Sequence, residues 1–270
     1  MTQESTAFDH STPALYDRYM GPLLFEPYAR LIAEQSALLK PNRILETAAG
    51  TGIVTRALNE ALPQARIVAT DLNPVMIDFA AQRTGSKQVA FQRADAQNLP
   101  FPDGSFDLVV CQFGMMFFPD KIRANREAWR VLVSSGHYLV VSFDRLEFNL
   151  VPKMAQDAVA ALFPEDPPKY MEHGPFSYAD PAVIEHDLWA AGFTDIKCDT
   201  VALPSRVSAR DAAQGLVLGS PFRAEIERRD PSALDRAVNA VTEALRPLDG
   251  EDKTISAHVV TSTKSGAKAE

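Results

Sequence analysis

The chain has 270 residues, of which 46% are hydrophobic and 23% charged, and it carries a formal net charge of -8. That composition is typical of a globular protein with a sizeable core, and the acidic balance argues against nucleic acid and anionic membranes as partners. The first residues contain no secretory signal pattern, and no apolar run reaches the roughly 18 residues that a membrane span needs. The two cysteines, Cys111 and Cys198, predict no disulfide framework and favour a cytoplasmic location.

Strand and helix patterns alternate through the first half of the chain. Apolar spacing first predicts helical pieces between about residues 11 and 40, separated at Pro13, Gly21–Pro22 and Pro27. The patterns that follow predict strands at 43–46, 66–71, 89–95, 106–111 and 137–143, with helices at 53–62, 73–83 and 120–132. This alternation predicts an α/β fold with a mostly parallel sheet, whose right-handed crossovers place helices on both faces.

The pattern becomes less regular after residue 145. A helix is predicted to begin at Asp180–Pro181, and strands are predicted at 194–203 and 255–262. Long helical segments near the carboxyl ends of strands favour a lid over the ligand. We expect one structural domain with these parts: an N-terminal helical cap (1–40), a cofactor-binding Rossmann-like core (41–145), a helical lid insertion (146–180), a core helix and strand (181–206), a helical insertion (207–250), and the last strand with the tail (251–270).

Three acids, Glu46, Asp71 and Asp95, stand at the predicted ends of three successive strands. The carboxyl ends of parallel strands line the ligand crevice of an open α/β sheet, so these carboxylates can reach one bound molecule. An acid after the second strand can accept both hydroxyls of a ribose. The turn Gly50-Thr51-Gly52 lets the backbone approach the ligand, but an acid at Glu46 would repel a phosphate. We therefore expect a ligand that carries positive charge.

These residues, taken in order, resemble the class I S-adenosylmethionine-dependent methyltransferases, and the branch that includes the ubiquinone and menaquinone biosynthesis methyltransferases most of all. The matching motifs are Glu46–Gly52 (ETAAGTG), Thr70–Met76 (TDLNPVM), Ala94–Pro102 (ADAQNLPFP), Ser105–Val110 (SFDLVV) and Arg130–Leu132 (RVL). The resemblance covers about residues 40 to 145, with a weaker match at Ala191–Phe193. One departure is Ala48, because the family often has glycine there.

The resemblance implies S-adenosyl-L-methionine as the cofactor and a seven-stranded sheet whose last strand runs antiparallel. It implies that Gly50 and Gly52 approach the methionine part, that Asp71 holds the ribose, and that Asp95 and the Ala96 amide bind the adenine. The residues expected to contact the cofactor are Tyr19, Glu46, Thr47, Ala48, Gly50, Gly52, Asp71, Leu72, Met76, Asp95, Ala96, Gln112 and Phe113.

Several alternatives stay open at this stage. Glu46 could simply cap the following turn, Asp95 could be a solvated loop acid, and Phe113 could pack in the core instead of bordering the ligand. A nicotinamide-dependent oxidoreductase is a weak rival, because Thr55 stands where its glycine fingerprint needs a third glycine. A non-catalytic protein that binds S-adenosylmethionine on the same fold is a second alternative. Cys111 is expected to be a buried apolar residue rather than a nucleophile.

The predicted reaction is transfer of a methyl group to O, C or N of a small, aromatic or apolar metabolite by in-line displacement. A sulfonium is already a good leaving group, so the main requirements are alignment and exclusion of water. His173 is the candidate general base, since histidine titrates near neutral pH. The five histidines show no metal-ligand spacing, so no metal is expected. The sequence does not fix the oligomeric state, and a homodimer is one possibility.

Overall fold

The computed structural model describes residues 12–205 and 207–265, and their backbone divides into two compact units. Unit 1 takes the described residues up to Pro27, together with Asp144–Ser177 and Ala202–Ser256. Unit 2 takes Tyr28–Phe143, Tyr178–Val201 and the described residues from Ala257 onward. The start of the predicted cap and the end of the predicted tail lie outside the described residues. Among the helices in the described ranges, none is both long and apolar enough to cross a bilayer.

The sheet of the described residues has seven strands. They are β1 (Arg43–Glu46), β2 (Arg66–Asp71), β3 (Val89–Arg93), β4 (Phe106–Gln112), β5 (Leu132–Phe143), β6 (Phe193–Ser205) and β7 (Lys253–Lys264). Their order is β3-β2-β1-β4-β5-β7-β6. β1 pairs in parallel with β2 and β4, whereas β7 pairs antiparallel with β5. The predicted α/β fold and the implied antiparallel last strand are therefore confirmed.

Helices connect these strands and form most of unit 1. The α-helices are α1 (Thr12–Leu15), α2 (Glu26–Leu39), α3 (Ile53–Ala61), α4 (Pro74–Arg83), α5 (Lys121–Val131), α6 (Leu150–Ala160), α7 (Tyr170–His173), α8 (Pro181–Ala190), α9 (Ala209–Leu218), α10 (Phe222–Arg229) and α11 (Leu234–Leu245). Short 3-10 turns occupy Met115–Phe117, Leu146–Phe148 and Arg246–Leu248. As predicted, the Asp180 side chain accepts from the Ala182 amide at the start of α8.

The central strands of unit 2 form its core. Ile44 and Leu45 of β1 and Leu108 and Val110 of β4 are fully buried. Such unbroken apolar runs are typical of parallel strands that are covered on both faces. This packing fixes the carboxyl ends of β1 and β4 side by side, because Glu46 pairs in register with Val110. The last residues of these strands and the turns after them therefore share one edge of the sheet.

Several sequence-based boundaries differ from the structure, and two of these differences have a clear physical reason. The helical pieces predicted before residue 40 are continuous, because Tyr16–Phe25 is π-helical and joins α1 to α2. Pro22 lies inside that segment, where the wider turns tolerate a residue that lacks an amide donor. β5 begins at Leu132 rather than His137, so the predicted turn at Ser134–Gly136 lies within the strand. Ser135 has a φ of 64°, and the register of β4 and β5 shifts there, as in a bulge.

Candidate functional site

The turn between β1 and α3 is built on left-handed backbone. Ala48, Gly50 and Gly52 have φ values of 53°, 55° and 78°. Glycine adopts this conformation freely, whereas alanine does so at a cost of about 1 kcal/mol. The Thr47 amide donates to the Val110 carbonyl across 2.9 Å, and the Ala49 amide donates to the Thr70 carbonyl across 2.9 Å. The turn is therefore fixed between the ends of β2 and β4, where Ala48 and Gly50 are half-buried.

Asp71 is the last residue of β2 and connects three loops of the site. Its Oδ2 accepts from the Gly50 amide at 2.9 Å, and its Oδ1 accepts from the Asn73 amide at 2.8 Å. Burial raises the pKa of Asp71 above its usual value, although both amide donors lower it. A carboxylate oxygen has more than one lone pair, so each can still accept from a ligand hydroxyl. The geometry fits the predicted ribose contact.

Glu46 is the last residue of β1 and is 2% exposed. Its Oε2 accepts from the Thr55 hydroxyl at 2.5 Å. Burial raises the pKa of Glu46 to about 8, while the Thr55 bond lowers it and the charge of Asp71 raises it. The carboxyl is therefore mainly protonated at neutral pH unless a cation lies nearby. Because Thr55 lies in the first turn of α3, this hydrogen bond also connects the end of β1 to the start of α3. It therefore gives Glu46 a structural role, as the capping alternative proposed.

Asp95 lies two residues beyond β3, so the third strand ends earlier than predicted. The Ala94 amide donates to the Asp71 carbonyl at 3.1 Å, which places this loop beside the end of β2. The Asp95 Oδ1 accepts from the Gln97 amide at 2.8 Å and forms a local turn. Asp95 and Ala96 are both half-buried. They share the edge with Asp71, and their contact with adenine stays a prediction.

Aromatic packing surrounds the residue that follows β4. Phe113 is 7% exposed, and its ring stacks on Phe143 with centroids 3.9 Å apart. Tyr28 meets the Phe113 ring edge-on at 5.3 Å. This burial supports the packing alternative for Phe113, while its half-buried neighbour Gln112 ends β4 at the edge of the sheet.

Gly114 makes room for the alanine that departs from the family pattern. A Cβ built on Gly114 would lie 2.4 Å from the Ala48 Cβ and 3.1 Å from the Cys111 sulfur. Since carbon atoms do not approach so closely, a side chain at both positions would displace one of the two turns. No sequence pattern marks this contact, because the two residues are far apart in the chain.

The other predicted residues divide between the two units. Met76 is buried in the first turn of α4, and Leu72 is 49% exposed beside Asp71. Tyr19 and His173 belong to unit 1, whereas the other predicted site residues belong to unit 2. Tyr19 is half-buried with the Arg18 guanidinium 5.1 Å from its ring centre. His173 is exposed at the end of α7. The roles of Tyr19 and His173 therefore stay predictions.

Other chemistry is poorly supported at this edge. Burial raises the pKa of the Cys111 thiol to about 11, so it supplies little thiolate at neutral pH. Asp107 lies at the opposite end of β4 and is structural, because its Oδ2 accepts from the Asn42 and Arg43 amides at 2.9 Å. Within the described ranges, no cluster of three or more histidine, cysteine, aspartate or glutamate residues could hold a metal ion.

Comparison with known proteins identifies the type of domain. Residues 45–140 match the family model of a methyltransferase domain. A demethylmenaquinone methyltransferase of Deinococcus radiodurans is 40% identical over 118 residues, which cover 43% of this chain and 49% of that protein. The ubiquinone/menaquinone biosynthesis C-methyltransferase UbiE of Pseudomonas aeruginosa is 36% identical over 157 residues, which cover 55% of this chain and 61% of that protein. The chain thus spans only about half to three-fifths of these relatives.

Solved structures agree on the fold. The phosphoethanolamine N-methyltransferase 2 of Haemonchus contortus, in complex with S-adenosyl-L-methionine, has a TM-score of 0.61 at 17% identity. The match covers 97% of this chain and 58% of that chain. At such low identity the likeness concerns the fold alone.

Proposed function

We propose that this chain transfers the methyl group of S-adenosyl-L-methionine to a small acceptor, because residues 45–140 match the model of a methyltransferase domain and resemble quinone-biosynthesis methyltransferases in sequence. One observation carries the proposal: the Asp71 carboxylate and the left-handed Gly50 turn meet through a hydrogen bond of 2.9 Å at the edge of the parallel sheet. An acid at the end of β2 suits the hydroxyls of a ribose, and the turn lets the backbone approach the rest of the ligand.

The proposed cofactor contacts follow the order of the strands. The turn after β1 approaches the methionine part, Asp71 accepts from the ribose hydroxyls, and Asp95 with the Ala96 amide meets the adenine. Glu46 supplies a buried carboxyl close to the methionine part. A cation there lowers the pKa of the carboxyl, so an incoming sulfonium or ammonium favours the ionised form.

The chemical step needs alignment more than acid–base help. The leaving group is a neutral thioether, and the methyl carbon moves from sulfur to an O, C or N atom of the acceptor along one line. Proximity and orientation can supply up to about 7 to 11 kcal/mol of the barrier reduction. A base is needed only where the acceptor must lose a proton, and His173, exposed on α7, is the proposed base for that case.

The proposed acceptor is aromatic or apolar, with quinols and phenols as the first classes to test. Apolar side chains are frequent in the predicted lid, and two of them, Phe148 and Leu150, are 63% and 52% exposed in unit 1. Exposed apolar groups of this kind often mark binding surfaces. The relatives named above act, by their names, on quinone precursors, which supports the same choice.

A labelled-methyl assay tests the proposal. The chain is incubated with S-adenosyl-L-methionine that carries a labelled methyl group and with separate phenols, quinols and amines. Extraction then reports label in the acceptor, and chromatography reports S-adenosylhomocysteine. We expect both products with at least one phenol or quinol, and their loss in Asp71→Ala. Absence of product across the whole panel, with cofactor binding intact, would favour the alternative of a non-catalytic S-adenosylmethionine-binding protein.

A nicotinamide-dependent oxidoreductase receives no support from the geometry. Thr55 occupies the place of the third glycine and is committed to Glu46. The buried Glu46 carboxyl beside the turn also offers no positive charge to a pyrophosphate. Titration with a nicotinamide dinucleotide is expected to show no binding under conditions where S-adenosyl-L-methionine binds.

The remaining proposals concern setting and partners. Cys111 and Cys198 are free thiols, which supports the expected reducing cytoplasm. The net charge of -8 supports a small-molecule partner rather than nucleic acid. A homodimer is testable by light scattering.

A further inference from the structure

Thr55 contributes a hydroxyl that the proposed cofactor contacts do not use. It lies in the first turn of α3, is fully buried, and donates to the Glu46 Oε2 across 2.5 Å. Helix formation does not require threonine here, because β-branched residues form helices less well than alanine or leucine. We propose that Thr55 is a positioning residue, which holds the Glu46 carboxylate towards the charged methionine end of the cofactor. This inference rests on the proposed function.

The local backbone brings Thr55 and Glu46 together. β1 ends at Glu46, the left-handed turn reverses the chain, and α3 begins at Ile53. A Cβ built on Gly52 would lie 3.0 Å from the Ala80 Cβ and 3.6 Å from the Thr55 hydroxyl. Glycine at this position therefore lets the turn pack closely against Ala80 of α4. The amino end of α3 also carries partial positive charge, which favours an ionised carboxylate close by.

The hydroxyl changes the balance between the charged and neutral forms of Glu46. A hydrogen bond to an ionised group is stronger than one between neutral groups, so the donor favours the carboxylate. Burial and the charge of Asp71 raise the pKa of Glu46, whereas the charge of Arg56 lowers it as the hydroxyl does. With the hydroxyl present, burial disfavours the ionised form of Glu46 less, so a ligand cation needs to supply less free energy to ionise it. Thr55 should therefore matter for ligands that carry positive charge at the methionine end and little for neutral nucleosides.

Calorimetry with three probes tests this dependence. S-adenosyl-L-methionine carries a sulfonium and an ammonium, S-adenosylhomocysteine carries only the ammonium, and 5′-methylthioadenosine lacks the amino-acid part. Thr55→Val replaces the hydroxyl with a methyl group of similar shape, and Thr55→Ser keeps the hydroxyl as the matched control. Thr55→Ala serves if the valine variant does not fold.

In Thr55→Val we expect S-adenosyl-L-methionine to bind roughly tenfold more weakly, because the hydroxyl stabilises the ionised carboxylate of the bound state more than the neutral carboxyl of the free state. S-adenosylhomocysteine should lose less, 5′-methylthioadenosine should change by less than about twofold, and Thr55→Ser should stay within about threefold of wild type. The pH at which affinity reaches its plateau should also move upward in the valine variant.

Two results would overturn the inference. One is an affinity for S-adenosyl-L-methionine within about threefold of wild type in Thr55→Val. The other is an equal loss for 5′-methylthioadenosine, which would show a general disturbance of the turn. A wild-type protein that binds no S-adenosyl-L-methionine would instead refute the proposed function, so the two failures are distinguishable.

Discussion

Substituting Glu46 by glutamine should change how stability depends on pH. The pKa of this carboxyl rises from 4.5 to about 8 on folding, mainly through burial. Between those values the folded chain keeps a proton that the unfolded chain has released. The free energy of unfolding therefore falls as pH rises through this interval, and the loss is complete above the folded pKa. Glutamine cannot ionise and still accepts from Thr55, so the variant should lack this loss.

The magnitude follows from the size of the pKa difference. Each unit corresponds to about 1.4 kcal/mol, so the full effect is on the order of 5 kcal/mol. From about pH 6 to pH 8, the free energy of unfolding of the wild type should fall by about 2 kcal/mol relative to that of the glutamine variant.

Urea denaturation of the ligand-free protein measures this difference. Both tryptophans, Trp129 and Trp189, lie in unit 2 together with Glu46, so their fluorescence follows the relevant unit. Glu60→Gln, which replaces an exposed glutamate on α3, is the matched control, and its free energy of unfolding should run parallel to that of the wild type with pH. If the difference between Glu46→Gln and wild type stayed flat with pH, the carboxyl would be ionised in the folded chain and the argument from burial would fail.

Three further predictions concern the turns of the site and the base. Asp71→Ala should weaken S-adenosyl-L-methionine binding by roughly 1.5 to 3 kcal/mol for each lost ribose contact, and unchanged affinity in calorimetry would refute the ribose assignment. Gly114→Ala should lower the free energy of unfolding by about 1 to 3 kcal/mol through its clash with Ala48, and adding Ala48→Gly should restore part of this loss. If urea denaturation gave the same free energy of unfolding for the single and the double variant, the contact would be contradicted. His173→Ala should lower methyl transfer without weakening cofactor binding, and an unchanged rate would remove it as the base.

The strands of the core were predictable because their patterns are strong. β1 and β2 have the bounds that their apolar runs and terminal acids predict, and α8 begins after the predicted Asp180 cap. β5 was harder, because Ser134–Gly136 has the composition of a turn yet forms a bulge that only its pairing with β4 stabilises.

The contacts that shape the site could not be predicted in the same way. The bond from Thr55 to Glu46 and the space that Gly114 leaves for Ala48 join residues of different elements, and no periodicity marks them. The raised pKa of Glu46 depends on burial by the surrounding fold, whereas the sequence shows only an acid near a turn. The charge pattern therefore predicted a carboxylate, and the structure adds that burial raises the pKa of this carboxyl to about 8.

One buried amide in unit 1 has a consequence for the proposed base. Gln156 donates to the Glu172 carboxylate at 2.7 Å and accepts from the Met171 amide at 3.0 Å. A single helical turn such as α7 is not stable on its own in water. The segment that ends in His173 is thus held in part by this side chain from α6, together with the stacking of Tyr170 on Phe222. Deuterium exchange at the Met171 amide would accordingly report how often this segment opens, without any need to know the substrate.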